Sequence, residues 1–164
     1  MALITLFTDA SFCSETCAAG WAAWFKCNGK TFRFAGKFKS PIETSYEAEV
    51  YGIGNGIFLI DKHLGPLSHN DLVIIQSDCL GAVQALGTLT KTKSKAITTV
   101  RDQMLAIKAR ARVRFDFRHV TGHEGTKTRR SAVNTWCDAE AFKFMKLHRQ
   151  ELAGSPSLQE ASYG

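Results

Sequence analysis

The chain has 164 residues, of which 45% are hydrophobic and 22% charged, with a formal net charge of +6. That suits about one domain of roughly 100–200 residues, long enough to bury a core without disulfide or metal staples. Three prolines and no low-complexity run argue against a mostly disordered chain, and no apolar stretch has the length of a transmembrane helix.

Leu3–Asp9 alternates and is rich in β-favouring residues, which predicts a first strand ending at Asp9. Ala18–Lys26, with Trp21, Trp24 and Phe25, predicts a second strand. Asn28-Gly29 signals a hairpin turn into a third, Thr31–Phe38, which sets Phe32, Phe34, Gly36 and Phe38 on one face. A helix follows, with Ser45 as N-cap and Val50, Ile53, Ile57, Ile60 and Leu64 at helical spacing. Gly52, Gly54 and Gly56 fall inside that pattern. No strand leads into them and no helix starts after them, so close packing of the helix on the sheet explains them better than a phosphate loop. The apolar run within Asp71–Gln76 suits a buried parallel strand, ending at Ser77-Asp78. A short helix from Cys79 to Leu86, closed by Gly87, precedes a Lys/Thr-rich stretch and a helix over Ser94–Ala109. Val113–Val120 is the fifth strand, and a loop over 121–130 leads to a last helix over Ser131–Gln150. The order β-β-β-α-β-α-α-β-α predicts an α/β fold with a mixed sheet, an antiparallel meander on one side and parallel strands joined by helical crossovers on the other. One domain over 1–152 accounts for the pattern, and the Gly/Ser/Pro-rich residues 153–164 are expected to form a flexible tail.

The N-terminus shows no secretory signal pattern, so a cytoplasmic location is expected. Cys13, Cys17, Cys27, Cys79 and Cys137 are odd in number and scattered, and they read as reduced thiols. Nothing near Cys13 and Cys17 completes a zinc set. The charge is uneven. Residues 1–90 hold six Lys/Arg against eight Asp/Glu, residues 91–130 twelve against three, and residues 131–164 three against four. A concentrated basic segment attracts a polyanion, most often nucleic acid, although a solvated face that only aids solubility has the same composition.

Four acids stand where strands end or helices turn inward: Asp9, Glu49, Asp78 and Asp138. Asp9 and Asp78 close runs too apolar to tolerate an unpartnered charge, though each alone also suits a turn or a helix cap. Two carboxylates at one end of adjacent strands repel unless a cation lies between them, and hard divalent ions take such oxygen ligands. Two ions about 3.5–4 Å apart stabilise the attacking and leaving oxygens of a phosphodiester displacement. Acids at strand ends beside a basic segment therefore point to metal-dependent phosphodiester cleavage. Glu47 competes with Glu49, but two helical positions apart they cannot share a face.

Five stretches, in order, resemble the motifs of ribonuclease H, type 1. They are Ile4–Ser11 with Gly20, Ala48–Ile53, Val73–Cys79 with Ala82-Val83, His119–His123, and Asn134–Asp138 with Ala139 and Ala141. The resemblance covers residues 3–150. It implies a ribonuclease H-like, five-stranded mixed sheet flanked by helices, and an endonuclease that cuts the RNA strand of RNA–DNA hybrids to leave 5′-phosphomonoesters. The catalytic set falls on Asp9, Glu49, Asp78 and Asp138 as ligands of two Mg2+ ions, with Mn2+ as a substitute. His123 assists proton movement or product departure. The match to Ala48-Glu49 selects Glu49 over Glu47, which is left facing solvent. Ser11, Thr44, Ser45, Lys91, Lys93, Lys95, Lys127, Arg129, Arg130 and Asn134 are the expected substrate contacts. The implied partner is nucleic acid, with no membrane and no obligate protein partner, for a monomer. The chain departs from the family in lacking its Asn near Thr44 and Ser45 and in having too short a segment after Asp78 for the full basic protrusion. The basic loop at 124–130 leaves open a nuclease on another structured nucleic acid, and a catalytically silent binding module is the third reading.

Overall fold

A computed structural model of the chain describes the backbone of residues 1–88, 90–121 and 129–163, and the side chains of these except 129–131 and 155–163. The strands are β1 (Leu3–Cys13), β2 (Ala18–Cys27), β3 (Lys30–Lys37), β4 (Leu72–Ser77) and β5 (Arg114–His119). The helices are α1 (Ser45–His63), α2 (Leu80–Gly87), α3 (Lys95–Arg110) and α4 (Arg129–Tyr163). The sheet order is β3-β2-β1-β4-β5, with β1, β2 and β3 antiparallel and β1, β4 and β5 parallel. This is the mixed sheet, meander plus parallel crossovers, that the element order predicts.

The two sheet faces carry separate cores, as strand alternation requires. Ile4, Leu6, Ala23, Phe25, Val73 and Ile75 pack with α1, α2 and α3, where Val50, Ile53, Ile57 and Ile60 supply the stripe of α1. Phe7 and Ala22 face the other way, under Cys137 and Ala141 of α4. Each such apolar side chain contributes about 1.5–3 kcal/mol when fully buried.

Small residues set how closely the helices approach. A Cβ on Gly56 would lie 2.9 Å from Leu6 Cδ2 of β1, and one on Gly54, on another face of α1, would lie 3.0 Å from Val100 Cγ2 of α3. The glycine string is therefore a packing device, as expected. On the opposite face a Cβ on Gly20 would fall 2.3 Å from Ala141 O and 2.4 Å from Met145 N, so β2 and the backbone of α4 all but touch. Buried His148 secures the same junction, its Nδ1 accepting the Ala19 N–H at 2.9 Å.

Several boundaries differ from the sequence expectation. β1 does not end at Asp9: it pairs with β2 as far as Cys13↔Ala18, so Asp9 lies within the strand. Thr44, not Ser45, caps α1, its hydroxyl accepting the Glu47 N–H at 3.1 Å. Gly87 is the last residue of α2 rather than a left-handed stop, and the cap is Thr88 in extended conformation. α4 begins at Arg129 and its backbone is helical to Tyr163, past Gln150. Among the described residues no helix is long and apolar enough to cross a membrane. The five cysteines are free thiols, as their number and spacing suggest.

The glycine contacts separate two substitutions. Gly20→Ala, which drives a methyl into helix backbone, is expected to cost about 3 kcal/mol or more, beyond the usual range for overpacking. Gly52→Ala meets only ordinary contacts at 3.7–3.9 Å and gains up to about 1 kcal/mol of helix propensity. Urea denaturation of the two variants checks both signs.

Candidate active site

The site forms where the sheet opens. β1 pairs with β4 only from Leu3↔Leu72 to Phe7↔Gln76. β1 then continues beside β2 alone, while β4 turns off into α2. Asp9 and Asp78 each lie two residues beyond the last pair, so they stand level across the gap. Ser77 shapes the turn, its hydroxyl accepting the Cys79 N–H at 3.1 Å, a local bond of the kind that fixes Ser in turns. Glu49, in the second turn of α1, completes the group. One carboxylate oxygen from each of Asp9, Glu49 and Asp78 lies within 4.8 Å of the others.

Asp9 is buried, and Glu49 and Asp78 are half-buried. Burial, followed by the charges of Asp78 and Asp138, raises the Asp9 carboxyl well above the usual carboxylate range, although the Ala10 N–H donates to its Oδ1 at 2.9 Å and opposes the rise. Burial and then the charges of Asp9 and Asp78 raise the Glu49 carboxyl as well. Glu49 Oε2 is buried with no hydrogen-bond partner. A cluster of hard oxygen donors, mutually repelling and partly unsatisfied, fits a divalent cation.

Asp138 lies outside the 4.8 Å group, exposed on α4, yet its charge acts on Asp9 and on the Cys137 thiol, which burial above all keeps protonated. It stands at the rim of the site. Asn134 is one turn earlier on α4 and shares that side by helical spacing. Ser11 shares the face of Asp9 by strand alternation. Glu47 does not face open solvent: it is half-buried, and its Oε2 accepts the Glu43 N–H at 3.0 Å.

Thr44 and Ser45 are exposed at the start of α1, and the Thr44 hydroxyl is occupied by capping. Lys91 and Lys93 are exposed on the α2–α3 connection, and Lys95 is exposed at the first position of α3. That connection is anchored by Arg101, which donates to Thr90 O and Ala85 O at 2.6 and 2.7 Å. Arg129 and Arg130 belong to the first turn of α4, with side chains outside the described residues. His123 and Lys127 lie outside the described residues altogether.

Two residues at the site escape sequence reasoning. His119 Nε2 donates to the Asp78 carbonyl at 3.1 Å, tying the exit of β5 to the turn that holds Asp78. Gln76, fully paired in β4, has a buried Oε1 without a partner. The register Ser77↔His119 would have found the first, but parallel register is not written in strand composition.

The raised carboxyls fix the sign of a pH effect. A group whose pKa is raised by folding loses stability as pH climbs from its unfolded value through its folded one. Without metal, Glu49→Gln is therefore expected to stabilise the protein at pH 8 by on the order of 1–3 kcal/mol, and to matter little at pH 4. Mg2+ is expected to raise the melting temperature of the wild-type chain more at pH 8 than at pH 5. Thermal melts in EDTA and in Mg2+ at both pH values measure this.

No protein-family model matches the chain, and no curated protein matches it by sequence. Solved structures do. The N-terminal ribonuclease H domain of a Mycobacterium tuberculosis protein, solved as a fusion with maltose-binding protein, is similar with a TM-score of 0.69 at 19% identity, over 92% of this chain and 99% of that one. LC11-RNase H1, solved in complex with an RNA/DNA hybrid, gives 0.66 at 16% identity, over 87% and 96%. Ribonuclease H1 of the halophilic archaeon Halobacterium salinarum NRC-1 gives 0.65 at 13%, over 88% and 98%. At these identities the likeness is one of architecture, and it agrees with the strand order and the helix placement seen above: the chain has the ribonuclease H-like fold.

Proposed function

We propose that the protein is a metal-dependent endoribonuclease that hydrolyses the RNA strand of RNA–DNA hybrids by a two-metal-ion mechanism, with Asp9, Glu49, Asp78 and Asp138 holding the ions. The observation that carries this reading is the approach of the Asp9, Glu49 and Asp78 carboxylates to within 4.8 Å at the open end of the β1–β4 pair. A divalent cation would offset the repulsion among three acids so close together. Mg2+ suits the all-oxygen donor set, with Mn2+ as a substitute.

A bound divalent ion would polarise the phosphate and lower the pKa of a water molecule. The chain's own groups do the rest. Asp9, rigid within β1, sits between the other acids and is held by the Ala10 N–H. By the family resemblance, Glu49 would hold the ion nearer the attacking water and Asp138 the other ion. His119 steadies Asp78 through its carbonyl. His123 takes the part of a proton carrier or an aid to product departure, suited by an imidazole pKa near neutrality. Hybrid as substrate is supported by the architecture shared with LC11-RNase H1, which was solved with an RNA/DNA hybrid. Recognition rests on phosphates, groove width and the ribose 2′-OH rather than on base edges.

Cleavage of end-labelled RNA–DNA hybrid, duplex DNA and duplex RNA tests the proposal. Cutting is expected on the hybrid RNA strand alone, absent in EDTA and restored by Mg2+ or Mn2+. Asp9→Asn and Asp78→Asn are each expected to lower kcat by at least about a hundred-fold, in the range for losing a group that acts on transition-state charge. Equal cutting of duplex DNA would point to a different nuclease, and tight binding of hybrid without cutting would point to a silent binding module.

A further inference from the structure

Trp24, Arg33, Ala132, Val133 and Trp136 line a cavity of about 270 Å³ on the α4 side of the sheet, the face that Asp9 shares with Phe7. Strand register builds its floor. Trp24 of β2 pairs with Arg33 of β3 on one side and Phe7 of β1 on the other, so the three side chains form one row across the sheet. The Trp24 ring meets Phe7 edge-on at 5.7 Å, which fixes its orientation from below. α4 supplies the wall: Trp136 comes from its second turn, and the Arg33 guanidinium lies 5.8 Å from the centre of the Trp136 ring. Both indoles are half-buried, and Arg33 is exposed. Among the described residues no carboxylate pairs with Arg33.

The cavity thus offers planar aromatic surface and an uncompensated planar cation on a rigid base. An apolar ligand would use the rings and leave the guanidinium idle, and a simple anion would use only the guanidinium. A nucleotide uses both, through base stacking and through phosphate contact. The position agrees. Trp24 lies one strand across and two residues back from Asp9, and Arg33 lies two strands across. At ~4.8 Å per strand and ~3.4 Å per residue, their Cα atoms fall roughly 8 and 12 Å from that of Asp9.

We propose that Trp24, Arg33 and Trp136 form a stacking site for an unpaired nucleotide, which receives a single-stranded extension of a nucleic acid bound at the carboxylate site. The choice of nucleic acid as ligand rests on the function proposed above. The Phe7 contact and α4 hold the site whether or not substrate is present. It adds affinity for a strand that continues unpaired beyond the duplex and adds nothing for a blunt end.

The experiment compares binding of a blunt RNA–DNA hybrid with the same hybrid bearing a single-stranded DNA extension, by fluorescence anisotropy in EDTA at fixed salt. The chains are wild type, Arg33→Ala, Trp136→Leu and Trp136→Phe. The extension is expected to tighten wild-type binding about five-fold or more, the lower end of what one stacked base contributes. Arg33→Ala and Trp136→Leu are expected to lose that gain and still bind the blunt hybrid within about two-fold of wild type, while Trp136→Phe, which keeps a ring, retains most of it. Arg33 is exposed, so its replacement leaves the core untouched, and melting temperatures verify this for each variant. Equal wild-type affinity for both hybrids, or equal weakening of both by the variants, overturns the proposal. Cleavage in Mg2+ is scored separately. An extension effect without cleavage counts against the proposed activity alone, and cleavage without an extension effect counts against the stacking site alone.

Discussion

The mutual repulsion of buried carboxylates is the constraint around which this molecule is arranged. Three acids whose oxygens lie within 4.8 Å of one another store unfavourable energy unless a proton or a cation intervenes. The fold tolerates them because each is delivered by a rigid element with its own core: Asp9 by the central strand, Asp78 by the turn after a strand paired on both sides, Glu49 by a helix pinned to the sheet. Without metal, burial and the neighbouring acids favour the protonated form of Asp9 and Glu49. A divalent ion reverses this by favouring the ionised form of every ligand at once. Under the proposed function, cation binding and deprotonation would be one event at this site.

Small side chains make the geometry possible. Ala18, Ala19, Ala22 and Ala23 of β2 are fully buried, and Gly20 between them allows the backbone of α4 to settle on the strand. The height of α4 above the sheet decides where Asp138 stands relative to Asp9. On the other face Gly56 lets α1, which carries Glu49, settle against Leu6 and Thr8 of β1. A glycine string that resembles a phosphate loop thus serves the chemistry indirectly, by setting a distance between elements.

Much of this was legible in the sequence. Apolar periodicity located all nine elements, because the strands alternate or run continuously apolar and the helices carry clear stripes. The four acids stood out as charges placed against apolar runs. Three of them meet, and the fourth reaches the rim. Other features were hidden because they depend on pairing across the fold. Asp9 looked like a strand end because the run of β-favouring residues over Leu3–Thr8 stops there, but the backbone of β1 is held by β2 as far as Cys13. Ser45 and Thr44 are both good caps by composition, and only the extended backbone at Thr44 decides between them. The link from His119 to Asp78 and the row Arg33–Trp24–Phe7 depend on register.

The basic surplus of residues 91–130 also changes meaning in three dimensions. Part of it is structural: Arg101 satisfies two backbone carbonyls, Arg110 pairs with Asp61, Arg118 pairs with Asp116, and Lys108 lies over Phe115. The carboxylates beside Arg110 and Arg118 offset their charge at long range, whereas Arg101 and Lys108 keep theirs. Among the described residues, Lys91, Lys93 and Lys95 carry no ion pair, and they project from the start of α3 and from the connection before it, which Arg101 holds in place. This separation follows from the chemistry. A carboxylate cluster repels a phosphate chain until cations neutralise it, so affinity for a polyanion has to come from cations placed away from the acids. Those cations can hold the backbone from the side while the acids work on a single link. Arg33 of β3, beside Trp136 of α4, is a further cation without a carboxylate partner among the described residues, outside the basic segment that the sequence advertises.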